Sequence, residues 1–248
     1  MPMGRWSRVA GGRSRVARRG SWVVGGLLIL ACTGRSDAGK PQATRTDTGT
    51  PSPATHDQRP ATRAATQRNI LFVGTSLTAG YGLDPDSAYP LQIQRMIDSA
   101  GLAYNVINAG ISGETSAALL TRLDWLLRQP FDVIVVETGA NDGLRGIPVD
   151  AMAANIERIV ERVKTVRPAA RIVLVQMEAP PNLGAAYTRS FHAVFPDIAK
   201  RTGVTLMPFL LQDVAGIREL NQGDGIHPNY VGERIVARNV WKALRPLL

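Results

Sequence analysis

The chain has few of the side chains that hold metals or form disulfides. Its 248 residues include one cysteine and three histidines. A single cysteine excludes both an intramolecular disulfide and a cluster of thiolate ligands, and the metalloprotease pattern His-Glu-x-x-His is missing. The sequence therefore predicts no metal and no cofactor.

Long apolar runs are also scarce. The stretch from Trp22 to Ala31 is too short to cross a bilayer, which takes about 20 residues. Among the arginines that precede it are Arg13, Arg15, Arg18 and Arg19. A basic segment before a short apolar core is typical of a signal peptide, so we expect residues 1–32 to direct export from the cytoplasm.

The cysteine lies where the apolar core ends, in Ile29-Leu30-Ala31-Cys32. This sequence resembles the lipobox of bacterial lipoproteins, whose cysteine carries a lipid and becomes the new N-terminus. The resemblance implies a periplasmic protein with a membrane anchor on Cys32. The alternative is an incidental cysteine inside an ordinary cleaved signal.

Residues 33–68 are mostly Thr, Ala, Pro, Gly, Asp and Arg. A segment of this composition buries too little apolar surface to offset the entropy lost on ordering. We expect it to be a disordered tether that joins the signal peptide to one globular domain, residues 69–248.

The net charge of +9 comes entirely from the N-terminal region. Residues 1–69 hold 12 Lys and Arg against 3 Asp and Glu, whereas residues 70–248 hold 17 of each. Because the predicted domain is neutral overall, the charge gives no reason to expect a nucleic-acid partner.

Short apolar segments alternate with helical patterns through this domain. Strands are predicted near 70–74, 104–108, 132–138, 171–177 and 204–208, and the clearest helices are Asp150 to Val166 and Tyr230 to Leu244. Such alternation is typical of an α/β fold with a parallel sheet covered on both faces.

Ser76 follows the first predicted strand, where a glycine and a threonine end the apolar run. The carboxyl edge of an open parallel sheet is where ligands bind, which favours a functional serine. The structural alternative is a serine that only caps the next helix. The G-x-S-x-G pattern of the α/β-hydrolase elbow is not present here.

Asp224 precedes His227 by three residues near the C-terminus. A carboxylate that orients an imidazole lets the imidazole take a proton from a serine hydroxyl. Pro228 places His227 in a loop rather than a helix. His56 lies in the tether and His192 in a predicted helix, so His227 is the candidate base.

Two further loops carry candidate oxyanion donors. Gly110 to Gly113 follows the second strand, and Asn141 follows the third in Gly-Ala-Asn-Asp. Backbone amides and an asparagine amide can each donate to a developing oxyanion. The glycine loop also permits phosphate cradling as in a nucleotide-binding module, although the full G-x-G-x-x-G spacing is not there.

Together these segments resemble the four sequence blocks of the SGNH (GDSL-type) hydrolases, closest to the bacterial thioesterase/lysophospholipase/arylesterase group. The resemblance runs from about Asn69 to the C-terminus. It implies a three-layer α/β/α, flavodoxin-like fold with a mainly parallel five-stranded sheet. It also implies a catalytic triad of Ser76, Asp224 and His227, and an oxyanion hole made by the Ser76 and Gly113 amides and the Asn141 side chain.

The chain departs from this family at Thr75, where the family usually has aspartate. The triad does not use that aspartate, so we expect changed hydrogen bonding around an intact Ser76. Two nearby acids have structural interpretations: Asp142 as a turn cap, and Glu137 as the partner of an arginine.

The resemblance implies a serine esterase that hydrolyses acyl esters or thioesters, such as lysophospholipids, aryl esters or short-chain esters, through an acyl-enzyme. The alternatives are a carbohydrate O-acetylesterase with a shallower, more polar pocket and a non-catalytic lipid-anchored binding protein. The loop Glu178 to Thr188 is expected, by the same resemblance, to border the acyl pocket.

Overall fold

A computed structural model describes residues 68–248. The predicted signal peptide, Cys32, His56 and the tether up to residue 67 lie outside the described residues. The first strand begins at Arg68, the residue at which the tether was predicted to end.

Five strands form one sheet: β1 (Arg68–Gly74), β2 (Tyr104–Gly110), β3 (Val133–Val136), β4 (Arg171–Val175) and β5 (Thr205–Met207). Their order is β2-β1-β3-β4-β5 and every pair is parallel. This is the strand order of flavodoxin-like folds. The fold class predicted from the sequence is confirmed.

Seven α-helices accompany the strands in the described residues: α1 (Ser76–Ala79), α2 (Tyr89–Ser99), α3 (Ser116–Leu126), α4 (Ala140–Leu144), α5 (Val149–Val166), α6 (Ala185–Thr202) and α7 (Tyr230–Leu244). Helix α2 packs against α7, and α5 packs against both α3 and α6. The central strands β1 and β3 are buried along their apolar residues, as expected for a sheet covered on both faces.

The helices form where the apolar spacing fits a helical turn. In α5 the buried residues are Met152, Ile156, Ile159, Val160 and Val163, which share one face of the helix. Helix α7 begins after Pro228, and the Asn229 side chain accepts hydrogen bonds from the backbone of Val231 and Gly232.

Helices run back from the carboxyl ends of the strands, so each α-helix N-terminus meets the edge where the predicted site residues lie. Within residues 68–248 no helix combines the length and apolar character that a membrane crossing requires.

Candidate active site

The sheet order places the candidate residues at one point of the carboxyl edge. Strands β1 and β3 are neighbours, but the chain leaves them toward opposite sides of the sheet, to β2 and β4. A crevice opens at such a reversal. Ser76 follows β1 and Asn141 follows β3, so both lie beside this crevice.

The turn after β1 presents Ser76 as the first residue of α1. Thr75 is the N-cap, with an extended backbone and a side-chain oxygen that accepts from the Leu77 N–H. Gly80 ends the helix in the left-handed conformation, with φ of 73°. The interpretation of Ser76 as a cap is therefore wrong: Thr75 caps the helix and the Ser76 hydroxyl is free for another partner.

That partner is His227. The Ser76 Oγ lies 2.8 Å from His227 Nε2, and His227 Nδ1 lies 2.6 Å from Asp224 Oδ2. Because the carboxylate can only accept, Nδ1 carries the proton and Nε2 is left to accept from the Ser76 hydroxyl. The three residues predicted from the sequence are brought together in the order that activates a serine.

A tight loop fixes the carboxylate and the imidazole relative to each other. Asp224 Oδ1 accepts from the backbone N–H groups of Ile226 at 3.0 Å and His227 at 3.1 Å. Gly225, which links Asp224 to Ile226, has φ of 76°, a backbone conformation that favours glycine. Burial raises the pKa of Asp224, but hydrogen bonds from the His227 side chain and these amides outweigh it and hold the pKa below its ordinary value.

Tyr81 covers the imidazole. Its ring centroid lies 4.7 Å from that of His227, and the Gln222 amide donates to the Tyr81 carbonyl at 2.7 Å. The His227 side chain is only 14% exposed as a result of its surroundings. This contact limits the rotation of the ring away from Ser76.

The oxyanion candidates come from two loops that touch. Asn141 Nδ2 donates to the Glu114 carbonyl at 3.0 Å, which orients the amide and leaves its second hydrogen available. Gly113 has φ of 80°, and its carbonyl accepts from Arg145 at 2.9 Å. Within residues 68–248 neither the Gly113 nor the Ser76 backbone N–H has an acceptor.

Asp142 holds the first turn of α3 rather than its own turn. Its carboxylate accepts from the Ser116 N–H at 2.9 Å and the Ser116 hydroxyl at 2.6 Å. Asn155 in turn donates to that hydroxyl at 3.1 Å. The side chain thereby ties the loop of Gly113 to the helix of Asn141. The interpretation of Asp142 as a cap of its own turn is therefore wrong, because its partner lies in α3.

Glu137 lies fully buried beneath the nucleophile turn. It accepts from the Thr75 N–H at 2.7 Å, the Thr75 hydroxyl at 3.0 Å and the Thr78 hydroxyl at 2.9 Å. Burial raises its pKa, and these hydrogen bonds partly offset that effect. The interpretation of Glu137 as an arginine's partner is wrong, because its partners are the two threonines on either side of Ser76.

Gly74 is the reason that the carboxylate fits so close to the turn. A β-carbon at this position would lie 2.6 Å from Glu137 Oε2 and closer still to the Thr78 hydroxyl. One feature of the sequence indicated this arrangement, an acid at the end of a wholly apolar strand. Its partner could not be identified, because Thr75 and Glu137 are 62 residues apart in the sequence.

A second carboxylate, Glu233, is also buried and is connected to the Ser76 turn through Tyr89. Tyr89 contacts Thr78 through its hydroxyl at 2.8 Å, and its backbone N–H donates to Glu233 at 2.8 Å. Burial raises the pKa of Glu233 to about 8, because one backbone donor compensates little of the lost hydration. Sequence reasoning did not identify Glu233, which reads as an ordinary acid in the first turn of α7.

A cavity of about 360 Å³ opens beside Ser76, Asn141 and His227. Its walls are mainly apolar, and the loop predicted to border the pocket supplies part of them. The apolar residues that line it are Leu77, Ala140, Leu144, Met177, Ala179, Pro180, Pro181, Phe209, Leu211, Ala215 and Ile226. Glu178 also lines the cavity, and its carboxylate lies 2.6 Å from His192 Nδ1.

No group of three His, Cys, Asp or Glu in the described part of the chain is placed to hold a metal ion. The site brings together a serine hydroxyl, an imidazole and a carboxylate beside hydrogen-bond donors.

Comparisons with known proteins agree with this geometry. Residues 72–235 match the GDSL-like Lipase/Acylhydrolase family. The chain is 35% identical to esterase TesA of Pseudomonas aeruginosa over 188 residues, which cover 75% of this chain and 92% of that protein. It is 36% identical to thioesterase 1/protease 1/lysophospholipase L1 of Escherichia coli over 187 residues, covering 75% and 88%.

Solved structures show the same likeness. A crystal structure of TesA matches with a TM-score of 0.70 at 35% identity, over 73% of this chain and all of that chain. A structure of the psychrotrophic esterase EstA from Pseudoalteromonas sp., inhibited by monoethylphosphonate, matches with a TM-score of 0.69 at 35% identity, over 73% and 98%.

Proposed function

We propose that this chain, which belongs to the GDSL-like lipase/acylhydrolase family, hydrolyses esters through an acyl-enzyme on Ser76. The chain is a carboxylic ester hydrolase, as its relatives named esterase, arylesterase and thioesterase/lysophospholipase indicate. What we propose beyond this is the role of each residue, the substrate class and the location of the protein.

One observation carries the assignment of residues: the line of hydrogen bonds from Ser76 through His227 to Asp224, at 2.8 and 2.6 Å. The Ser76 oxygen attacks the acyl carbonyl carbon while His227 Nε2 takes the hydroxyl proton. Asp224 keeps the proton of Nδ1 in place and stabilises the imidazolium that forms.

The negative charge that develops on the carbonyl oxygen requires donors. We assign these to the Ser76 and Gly113 amides and to the Asn141 side chain, whose remaining hydrogens have no acceptor in residues 68–248. Loss of one such donor in a serine hydrolase typically costs about 10²–10³ in kcat.

Collapse of the tetrahedral intermediate releases the alcohol or thiol, which takes its proton from His227. Water then attacks the acyl carbon of the ester on Ser76, with His227 as the base, and the carboxylic acid leaves. The sum of both steps is hydrolysis of one ester or thioester bond.

The apolar walls of the cavity support acyl esters or thioesters as substrates, including lysophospholipids, aryl esters and short-chain esters. An O-acetylated carbohydrate would leave these walls without an apolar partner. Relatives carrying the names arylesterase and thioesterase 1/protease 1/lysophospholipase L1 fit the same substrate class.

For the N-terminal region we propose a lipoprotein signal over residues 1–32 that is cleaved before Cys32, a lipid on Cys32 at the new N-terminus, and a tether that ends at residue 68. This assignment makes the protein a periplasmic lipoprotein. It rests on the basic segment, the short apolar core and the single cysteine of the sequence.

The test is labelling of the purified full-length protein with a fluorophosphonate, which bonds only to an activated serine. We expect the parent to be labelled, Ser76→Ala to be unlabelled and His227→Ala to be labelled much more slowly. Ser112→Ala is the matched control, because this exposed serine lies in the neighbouring loop outside the hydrogen-bonded line.

Equal labelling of the parent and Ser76→Ala would refute the assignment. A well-folded parent without labelling would favour the non-catalytic binding protein. A series of p-nitrophenyl esters then separates the substrates: rates that rise with chain length support the acyl pocket, whereas activity limited to acetate supports the O-acetylesterase.

A further inference from the structure

The exposed large apolar side chains of the described residues are concentrated around the catalytic cavity. Nine such side chains are exposed, and seven of them lie at the carboxyl edge of the sheet. We call these seven the apolar rim: Tyr81, Ile111, Leu144, Ile217, Ile226, Tyr230 and Val231.

The positions of these residues in the elements explain why they share an edge. The rim residues follow β1, β2, β3 and β5 or begin α7, and all these points lie at the carboxyl ends of parallel strands. The other two exposed apolar residues, Trp125 and Val166, lie near the C-terminal ends of α3 and α5, which point to the opposite edge.

The rim is continuous with the cavity. Leu144 and Ile226 line the cavity wall, and Tyr81 lies against the His227 ring. The Ile111 N–H donates to the Gly74 carbonyl at 2.8 Å, which brings that loop beside the nucleophile turn. The rim therefore adjoins the mouth of the apolar cavity.

The charged residues among the rim loops have both signs. Arg145 and Arg218 are accompanied by five exposed acids, Asp84, Asp86, Asp213, Glu219 and Asp224. The Tyr230 hydroxyl donates to Asp84 at 3.2 Å. These carboxylates would repel an anionic membrane. A mixture of carboxylates and guanidinium groups instead complements headgroups that carry both a phosphate and an ammonium group.

We propose that the apolar rim inserts into the surface of zwitterionic lipid aggregates, so that the cavity opens directly into the lipid. This inference rests on the proposed function, since it names the physical state in which the ester reaches the site. Exposed apolar patches at the mouth of a site mark such surfaces, and apolar side chains at the headgroup boundary stabilise binding in proportion to the area they bury.

The length of the tether is compatible with this orientation. Strand β1 begins at Arg68 on the edge opposite the rim, and 35 residues separate Arg68 from Cys32. Chain of that length reaches at most about 120 Å, whereas the seven residues of β1 span about 23 Å. A protein anchored at Cys32 can therefore turn its rim back to the membrane.

The test uses full-length protein with Cys32→Ser, so that no lipid on Cys32 brings the protein to membranes. The rim variant is Ile217→Ser with Val231→Ser, because neither residue lines the cavity. The matched control is Trp125→Ser with Val166→Ser. Trp125 is 60% and Val231 53% exposed, so both pairs remove accessible apolar area.

Binding to phosphatidylcholine vesicles is measured by flotation, and hydrolysis is measured on p-nitrophenyl acetate in solution and on lysophosphatidylcholine micelles. We expect the rim variant to lose about fivefold or more in vesicle binding and in the micellar rate, with the soluble rate unchanged. The control pair should match the parent in all three measurements.

Equal losses in the rim and control variants would overturn the proposal, as would a parent that floats only with vesicles rich in phosphatidylglycerol. A parent that hydrolyses the soluble ester but binds no phosphatidylcholine vesicles refutes the lipid-surface inference and leaves the proposed function intact. A parent that hydrolyses neither substrate refutes the proposed function itself.

Discussion

The two loops that meet at the catalytic centre are held in opposite ways. The turn of Ser76 is buried, and its hydrogen bonds end on Glu137, 62 residues away. The loop of His227 is open to solvent at Asp224 and Ile226, and the backbone hydrogen bonds that the Asp224 carboxylate accepts span two or three residues. Changes in the buried turn should therefore alter both folding and activity, whereas changes in the open loop should alter mainly activity.

Replacement of the open loop's carboxylate gives the largest expected effect. Asp224→Asn removes the charge that stabilises the imidazolium, and kcat/KM should fall by about 10³–10⁴, equivalent to about 4–5 kcal/mol. The free energy of unfolding should fall by only about 1 kcal/mol, because asparagine keeps an oxygen that can accept from the Ile226 and His227 amides. Ester hydrolysis and urea denaturation measure the two quantities.

Asp213→Asn is the control for this substitution. Asp213 is an exposed acid upstream of Asp224, and its carboxylate accepts a hydrogen bond from Gln212. It should leave kcat/KM unchanged. A loss of less than tenfold in Asp224→Asn would mean that His227 is oriented by other contacts, Tyr81 foremost.

The buried turn is tested by Glu137→Ala. The change leaves the Thr75 N–H and hydroxyl without their acceptor, at a cost of about 1–3 kcal/mol for each unpaired buried group. The Thr78 hydroxyl also loses Glu137 but keeps Tyr89 as a partner. We expect the free energy of unfolding to fall by about 3–5 kcal/mol and kcat to fall with it, as measured by urea denaturation and steady-state hydrolysis.

Glu137→Gln keeps the shape and one acceptor oxygen, so it should recover at least half of the lost stability. If Glu137→Ala were as stable as the parent while kcat fell, the carboxylate would act on the reaction rather than on the turn, and the contrast between the loops would fail.

Glu233 belongs to the same buried region as the Ser76 turn, because Tyr89 contacts both Thr78 and Glu233. The pKa of Glu233 is about 8 in the folded protein against an ordinary value of 4.5. Because the folded state holds this proton more tightly, the stabilisation is complete below pH 4.5 and is lost as the pH rises to 8. Glu233→Gln, which cannot ionise, should gain about 3–4 kcal/mol over the parent between pH 5 and 8.

Urea denaturation of both proteins at several pH values measures this difference. Glu219→Gln is a suitable control, since Glu219 is an exposed acid near the start of the same helix. A constant difference between the parent and Glu233→Gln across this range would show that Glu233 is ionised in the fold.

Thr75→Val should give the smallest effect. It removes one of the donors to Glu137 and the cap of α1, while the backbone N–H to Glu137 remains. The expected loss is about 1–2 kcal/mol of unfolding free energy. Thr75→Ser keeps the hydroxyl and should be close to the parent, and an unaltered Thr75→Val would show that the hydroxyl is dispensable.

Local patterns were sufficient to predict the elements of the domain. Helix α7 has the predicted bounds, and α5 begins one residue earlier than predicted. The strands predicted at 132–138 and 171–177 are shorter, Val133–Val136 and Arg171–Val175, because the chain leaves the sheet to form the site. The strand ends at Val136, and the side chain of the next residue, Glu137, lies beneath the turn that carries Ser76.

The triad could be predicted because its residues lie in short, distinctive sequences, with Asp224 and His227 only three apart. Glu137 and Glu233 could not, because their function depends on partners that the fold brings from 59 to 144 residues away. The apolar rim was hidden for the same reason: its members are single residues in different loops, and only the sheet places them on one edge.

The separation of Ser76 and His227 has a consequence for synthesis. They are 151 residues apart, and the loop of His227 precedes the last α-helix. A chain that stops before this loop contains the residues of all five strands and Ser76 but lacks the proposed base. On the proposed roles of these residues, hydrolysis requires the last part of the domain, and a chain interrupted before it should be inactive toward esters.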